Sequence, residues 1–136
     1  GWGSELTTEI TPMEAGLDRF VDFSKCFLGR EATLSRKLLG VNTKLVYVSV
    51  ETADSDCLGN ETVLNPKAPS GENIIGVTTS GAYGHTVSQS LAFAYVHPKF
   101  AEPGTKFEIR VLGHNCSATV LKEAAYDPHN LRLRDV

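Results

Sequence analysis

The residues whose types suit the approach of a ligand lie together in the segment 76–84. Gly76 and Gly81 could let the backbone come close to a bound molecule, and Tyr83 could stack on an aromatic ring. Glycines in such a segment are also typical of bulges or tight turns where a β-barrel bends. An aromatic residue beside small residues commonly just covers them. Tyr83 is nevertheless a candidate cofactor-binding residue. For the glycines, approach to a ligand and a bend of the barrel both stay open.

Familiar catalytic motifs are missing from this segment. A nucleophile elbow needs a glycine two residues before its serine, but Thr78 occupies that position before Ser80. The serine-hydrolase pattern is therefore excluded. The glycines do not have dinucleotide-binding spacing and precede a strand rather than a helix, so no flavin or nicotinamide site is predicted within this chain. His114 and Cys116 are neighbours at a turn, but two potential ligands do not make a metal site. We predict no catalytic residue and no metal.

Two further residues could contact a cofactor. Arg30 could pair a carboxylate bidentately, although beside Glu31 on the first turn of a helix an arginine is commonly solvated or weakly paired. Glu14 stands three residues after Thr11, where it can complete a capping box, which is a structural role. The candidate cofactor-binding residues are thus Glu14, Arg30 and Tyr83.

Composition excludes several classes of partner. The chain has 136 residues, 41% of them apolar, which is typical of one globular domain with a real core. A net charge of −3 argues against nucleic acid, and no apolar run approaches the roughly 20 residues of a membrane span. The three cysteines are widely spaced and odd in number, which favours a reducing compartment. Since the chain starts at Gly1 and enters an amphipathic segment at once, we expect a C-terminal part of a longer protein.

The first 42 residues carry helix signals. Thr11 and Pro12 predict a helix start, although the following run 17–23 is equally compatible with a strand. A second helix is predicted over Arg30–Leu39, ending at Gly40. Its expected buried side comprises Ala32, Leu34, Leu38 and Leu39.

From residue 43 onward, short β-rich runs alternate with turn residues. The run 44–51 alternates strictly, and we expect its face of Val46, Val48 and Val50 to be core. Turns are predicted at 80–84 and 113–115. The predicted strands are 44–51, 61–64, 73–79, 90–97, 106–112 and 117–122. The expected fold class is mainly β: a small six-stranded antiparallel or Greek-key barrel preceded by a short α-helical segment.

Several blocks of sequence carry a resemblance. They are Thr-Pro-Met-Glu-Ala-Gly-Leu at 11–17, Phe-Leu-Gly-Arg-Glu-Ala at 27–32 and Ser-Leu-Ala-Phe-Ala-Tyr-Val at 90–96. With Gly76 to Tyr83, these blocks make the chain resemble the C-terminal region of the glycine-cleavage T-protein (aminomethyltransferase) family. Within that family it is most similar to dimethylglycine and sarcosine dehydrogenases. Where the T-proteins usually carry an aromatic residue, this chain has Arg19.

The resemblance implies a division of the chain and a role for it. Residues 1–42 would be the end of a folate-binding domain, 43–125 the C-terminal barrel and 126–136 a polar tail. The parent protein would be an enzyme that uses tetrahydrofolate, with FAD in an N-terminal domain of the dehydrogenases and an assisting acid upstream of Gly1. The barrel would close the folate cleft with that upstream domain as its partner, and it would be inactive alone without bound cofactor. The implied location is the bacterial cytoplasm or the mitochondrial matrix.

Two other functions remain open at this point. The regulatory subunit of pyruvate dehydrogenase phosphatase resembles the same dehydrogenases, so a non-catalytic regulatory protein is the alternative. A free-standing barrel that binds a small molecule is the third. Folate binding by the chain alone would favour this third function.

Overall fold

The strictly alternating run that starts at Lys44 forms the first strand of a closed barrel, in a computed structural model that describes residues 1–134. The barrel order is β1-β4-β3-β2-β5-β6, and every pair of neighbouring strands is antiparallel, including β6 with β1. This confirms the predicted six-stranded, mainly β fold. The strands are β1 (Lys44–Val50), β2 (Thr62–Leu64), β3 (Ile74–Gly84), β4 (Gln89–Val96), β5 (Lys106–Val111) and β6 (His114–Val120).

The core fills the inside of this barrel. Side chains alternate along a strand, so a closed barrel sends every second residue inward. The predicted valine face of β1 is buried, which confirms that expectation. Phe107 and Ile109 of β5 and the alanines of β4 meet these valines in one hydrophobic cluster.

The segment 80–84 is not the turn that its small residues predicted. It continues β3, pairing with β4 from Ser80 opposite Phe93 to Gly84 opposite Gln89, after a register shift between Thr78 and Ser80. Gly81 is required instead by close packing, because a Cβ at this position would lie 2.8 Å from the Cβ of Cys57. The loop through Cys57 crosses the strand here, so close packing and not chain reversal requires the glycine.

The turn between β5 and β6 is tighter than predicted. Val111 pairs with His114, which leaves Leu112 and Gly113 as the whole loop. Both have positive φ, 47° and 85°, as a type I′ hairpin turn requires. His114 and Asn115 therefore belong to β6. The predicted turn at 113–115 was wrong by one residue at its start and by two at its end.

The chain before the barrel contains less helix than predicted. The capping box at Thr11 and Glu14 forms, with the Glu14 carboxylate accepting from the Thr11 amide at 2.9 Å. However, it closes turns and not an α-helix, and only the 3₁₀ helix Asp18–Phe20 follows. The glycine at position 16, with a φ of 69°, prevents the turn from propagating.

The second predicted helix forms where expected, as α1 (Arg30–Leu39), and ends at Gly40. Its expected buried side is wrong, because Leu38 and Leu39 are 78% and 86% exposed and no residue of the helix is buried. Amphipathic spacing shows which residues share a face, but it does not say what covers that face. Within residues 1–134 the apolar side of α1 lies open.

The last described residues form a short, exposed helical turn. Residues 131–134 form one helical turn, α2 (Leu131–Arg134), whose first amide donates to the Asp127 carboxylate at 2.8 Å. Asp135 and Val136, the end of the predicted polar tail, lie outside the described residues. No helix among the described residues has the length and apolar character that crossing a bilayer requires.

Replacing Gly76 by alanine should destabilise the barrel strongly. A Cβ there would lie 2.1 Å from the backbone oxygen of Tyr95, so β3 and β4 would have to separate. We expect a loss of at least about 2 kcal/mol in the free energy of unfolding, measured by chemical denaturation. Gly71→Ala is the control, since Gly71 has open space but a φ of 95°, which costs only about 1 kcal/mol. Equal losses in the two variants would contradict the steric explanation.

Candidate functional site

Two aromatic rings mark the outer surface of the barrel. Tyr47 of β1 and Phe93 of β4 are direct cross-strand partners, and their ring centroids are 4.8 Å apart at 31°. Both point outward because Val46, Val48 and Ala92 take the inward positions of the same strands. The aromatic pair is therefore placed by strand register.

An open apolar groove lies on one side of the aromatic pair. Its volume is about 260 Å³. The side chain of Tyr83, which is 44% exposed, also lines it. We call this the apolar groove; its lining includes Tyr47, Ser80, Gly81, Tyr83, Ala92 and Phe93.

A basic cleft lies on the other side of the same pair. It runs between the turn at 15–19 and the barrel, has a volume of about 700 Å³, and is also lined by Tyr47 and Phe93. Arg19, Lys44 and Lys122 line this basic cleft, against one acid, Glu123. None of these three cations is in an ion pair within residues 1–134.

The groove and the cleft together suit one kind of ligand. They meet at the aromatic pair, where a flat ring could stack, and the free cations are available to pair carboxylates beyond it. Arg19 lies on the turn that lines the cleft and faces the barrel. Its guanidinium is 4.6 Å from the ring centroid of the neighbouring Phe20. The arrangement can bind an acidic aromatic molecule on its open side.

A buried carboxylate, Glu5, fixes the chain that runs beside the aromatic pair. It accepts hydrogen bonds from the hydroxyls of Ser4 at 2.8 Å, Thr79 at 2.7 Å and Ser80 at 2.5 Å, and from the terminal amine of Gly1. Burial by itself raises the pKa of Glu5, but these donors outweigh burial and lower the pKa to about 2. Glu5 is therefore a structural anion at neutral pH.

A second carboxylate holds the next loop to the same strand. Glu61 accepts from the amides of Leu58 at 2.8 Å and Gly59 at 3.0 Å, and from the hydroxyl of Thr78. Burial opposes ionisation here too, yet the hydroxyl and the two amides lower the pKa of Glu61. Glu61 thus fixes the loop that crosses β3 at Gly81.

The three predicted cofactor-binding residues lie apart from one another. Tyr83 lines the apolar groove, with its ring edge-on to His85 at 5.0 Å between centroids. Glu14 is buried in its capping turn, and its backbone oxygen accepts from the Leu45 amide at 2.8 Å, which ties that turn to β1. Arg30 donates from Nε to the Phe23 carbonyl at 2.9 Å and also pairs with Glu31. Of these three residues, only Tyr83 lines the apolar groove, and none lines the basic cleft.

Sequence reasoning missed the aromatic pair and the three cations. The alternation in β1 already placed Tyr47 outward, but finding its partner requires the β1–β4 register, which no local pattern reveals. In the sequence, Lys44 and Lys122 look like ordinary exposed lysines. Only the closed barrel shows that both line one cleft. Arg19 carried a signal, since an arginine stands where the resembling proteins usually have an aromatic residue.

The remaining reactive groups do not form a catalytic cluster. Cys57 is fully buried, and burial raises the pKa of its thiol to about 12, so the thiolate is not available as a nucleophile. Burial, and then the charges of Glu14 and Glu5, raise the pKa of Tyr95 to about 12. Among the described residues, no three histidine, cysteine, aspartate or glutamate side chains are grouped to hold a metal ion.

Comparison with known proteins assigns the family. The family model described as the glycine cleavage T-protein C-terminal barrel domain matches residues 44–127. The chain belongs to this family. The T-protein barrel assignment agrees with the closed six-stranded fold.

Several known proteins are similar to this T-protein barrel chain. A mitochondrial dimethylglycine dehydrogenase from Rattus norvegicus is 40% identical over 98% of the chain, which spans 15% of that protein. An aminomethyltransferase from Aquifex aeolicus is 33% identical over 89% of the chain, which spans 32% of that protein. The crystal structure of the glycine cleavage system aminomethyltransferase T from Bartonella henselae superimposes with a TM-score of 0.83 at 23% identity, over 94% of this chain and 35% of that one. The last comparison supports the fold alone.

The Glu5 network should make stability depend on pH. The folded pKa of about 2 lies below the ordinary value of 4.5, so ionised Glu5 stabilises the fold above pH 4.5, and this contribution is lost as the pH falls towards 2. Glu5→Gln should lower the free energy of unfolding by about 2 kcal/mol at pH 7, with the difference shrinking by pH 2. Urea denaturation across this pH range measures it, with exposed Glu9→Gln as the control. A difference that does not change with pH would refute the ionic role.

Proposed function

We propose that this T-protein barrel forms one wall of a tetrahydrofolate-binding cleft in an aminomethyltransferase or in a dehydrogenase of N-methyl amines. An upstream domain of the same protein would form the other wall. The observation that carries the proposal is the aromatic pair of Tyr47 and Phe93, which separates an apolar groove from a basic cleft.

The chemistry of folate matches the two sides of this site. Its pterin and aminobenzoyl groups are flat aromatic systems, and its glutamate end carries carboxylates. An aromatic pair can stack on the rings, while Arg19, Lys44 and Lys122 can pair the carboxylates. Folate therefore suits the site better than an uncharged apolar ligand, which would leave the cations unused.

The open shape of the site supports a shared cleft. Both depressions lie on the outer face of the barrel, so a ligand there stays wet on one side unless another domain covers it. The exposed Leu38 and Leu39 of α1 provide an apolar surface for such a domain. The small fraction of each relative that the chain spans is consistent with this arrangement.

The chain's own residues would contribute placement and not proton transfer. Tetrahydrofolate would supply the nitrogen that accepts a one-carbon unit, and Tyr47 and Phe93 would hold its rings in position. The acid that assists and the FAD of a dehydrogenase would belong to other domains, so the chain alone would be inactive. Tyr83 would contact the ligand from the apolar groove, and Glu14 would support the turn that bears Arg19. Arg30 stays a predicted contact of the cofactor. Its location would be the mitochondrial matrix or the bacterial cytoplasm, which agrees with the mitochondrial dimethylglycine dehydrogenase to which the chain is similar.

Calorimetric titration with tetrahydrofolate tests the proposal. The 136-residue chain is compared with a protein in which it replaces the matching C-terminal segment of the rat dimethylglycine dehydrogenase. Binding only to the fused protein supports a shared cleft. Binding to the chain alone would favour a free-standing barrel, and binding to neither would overturn the folate assignment in favour of a regulatory role.

Removing the charge at position 19 should weaken binding in the fused protein. Arg19→Gln keeps a polar side chain but loses the charge that pairs a carboxylate, so we expect the Kd for tetrahydrofolate to rise about tenfold. Arg36→Gln is the matched control, because Arg36 is an exposed residue of α1 outside both depressions. Equal Kd values for the two variants would contradict the assignment of the basic cleft.

A further inference from the structure

The contacts of Glu5 join two parts of the chain that are distant in sequence. Its carboxylate receives the hydroxyls of Thr79 and Ser80 from β3, while its backbone oxygen receives the Tyr95 hydroxyl from β4 at 2.7 Å. One residue of the segment 1–6 thus contacts both strands of the β3–β4 pair. Tyr95 is 8% exposed, although it points outward, because this segment covers it.

The point of attachment on β3 is the irregular part of that strand. The register shifts between Thr78 and Ser80, so the backbone there is not held by a regular ladder. Three consecutive hydroxyls at this bulge are bound by carboxylates instead, Thr78 by Glu61 and the next two by Glu5. Side chains from outside the strand therefore set the conformation of the bulge.

The bulge also borders the apolar groove. Ser80 lines that groove and pairs across the sheet with Phe93. The Thr79 hydroxyl lies 3.3 Å from the Phe93 carbonyl oxygen as well as 2.7 Å from Glu5. A single layer of contacts therefore separates Glu5 from the aromatic pair.

We propose that Glu5 is a positioning residue that couples the seating of residues 1–6 on the barrel to the shape of the apolar groove. While the segment is seated, the bulge holds Ser80 and Phe93 in the positions that form the groove. When it is released, the hydroxyls of Thr79 and Ser80 lose their acceptor and the bulge can relax. This coupling goes beyond the proposed function and does not depend on which ligand the groove takes.

Nuclear magnetic resonance of the chain tests the coupling. Glu5→Gln presents an amide that can accept fewer of the three hydroxyls, so amide exchange protection should fall at least tenfold at residues 79–82 and stay unchanged in β5 and β6. The ring signals of Tyr47 and Phe93 should shift with it. Glu9→Gln, an exposed acid in the same region of the chain, is the matched control and should leave both readouts unchanged.

A second variant attacks the contact from the other side. Thr79→Val keeps the shape of the side chain, removes a hydroxyl that binds Glu5, and does not alter a residue that lines the groove. It should reproduce the local loss of protection, and the double variant should lose no more than the larger single effect. The same comparison in a chain extended before Gly1 removes the terminal amine from the network and should give the same result.

Three outcomes would overturn the proposal. One is a loss of protection spread evenly over the barrel, which would make Glu5 a general stabiliser. Another is unchanged ring signals of Tyr47 and Phe93 despite a released segment, which would separate the segment from the groove. The third is strict additivity of the losses of protection caused by Glu5→Gln and Thr79→Val. If Glu5→Gln does not fold, Thr79→Val alone decides by the first two criteria.

Discussion

Closure of the barrel is the constraint on which the rest of this structure depends. Because β6 pairs with β1 as well as β5, every strand has two neighbours, and the alternation of each strand is fixed by the need to fill one interior. With Val46 and Val48 inward, Tyr47 has to face outward, and the β1–β4 register then places Phe93 beside it. The aromatic pair is thus a consequence of how the core is packed.

The regions outside the barrel are held to it by a few polar contacts with good geometry. Glu5 and Glu61 each receive several donors, and no buried side-chain nitrogen or oxygen within residues 1–134 lacks a hydrogen-bond partner. Such contacts are stronger than neutral hydrogen bonds because the acceptor is charged. They keep the loop through Cys57 and the first residues of the chain in place beside the outward face, which carries the groove and the cleft. Arg19 lies outside the barrel core, so a substitution there changes the charge of the basic cleft without disturbing the buried residues.

The sequence predicted the barrel better than it predicted the site. Strict alternation in β1 identified core positions directly, since period two has one structural meaning over seven residues. Small residues at 80–84 were ambiguous, because a turn and a close crossing both require them, and only the position of Cys57 distinguishes the two. The helix signal at Thr11 was correct about hydrogen bonding and wrong about propagation. The site escaped prediction because Arg19, Tyr47 and Lys122 come from three separate segments that only closure and register bring together.

Hydrogen exchange followed by mass spectrometry tests the central claim most directly. The protein to measure is the fusion with the upstream part of rat dimethylglycine dehydrogenase, with and without tetrahydrofolate. If the barrel forms a wall of the folate cleft, the ligand should slow exchange in segments 15–19, 44–48 and 91–93, and leave β5 and the β5–β6 turn unchanged. Tetrahydrofolate that binds the fusion without slowing exchange in any of those three segments would contradict the account.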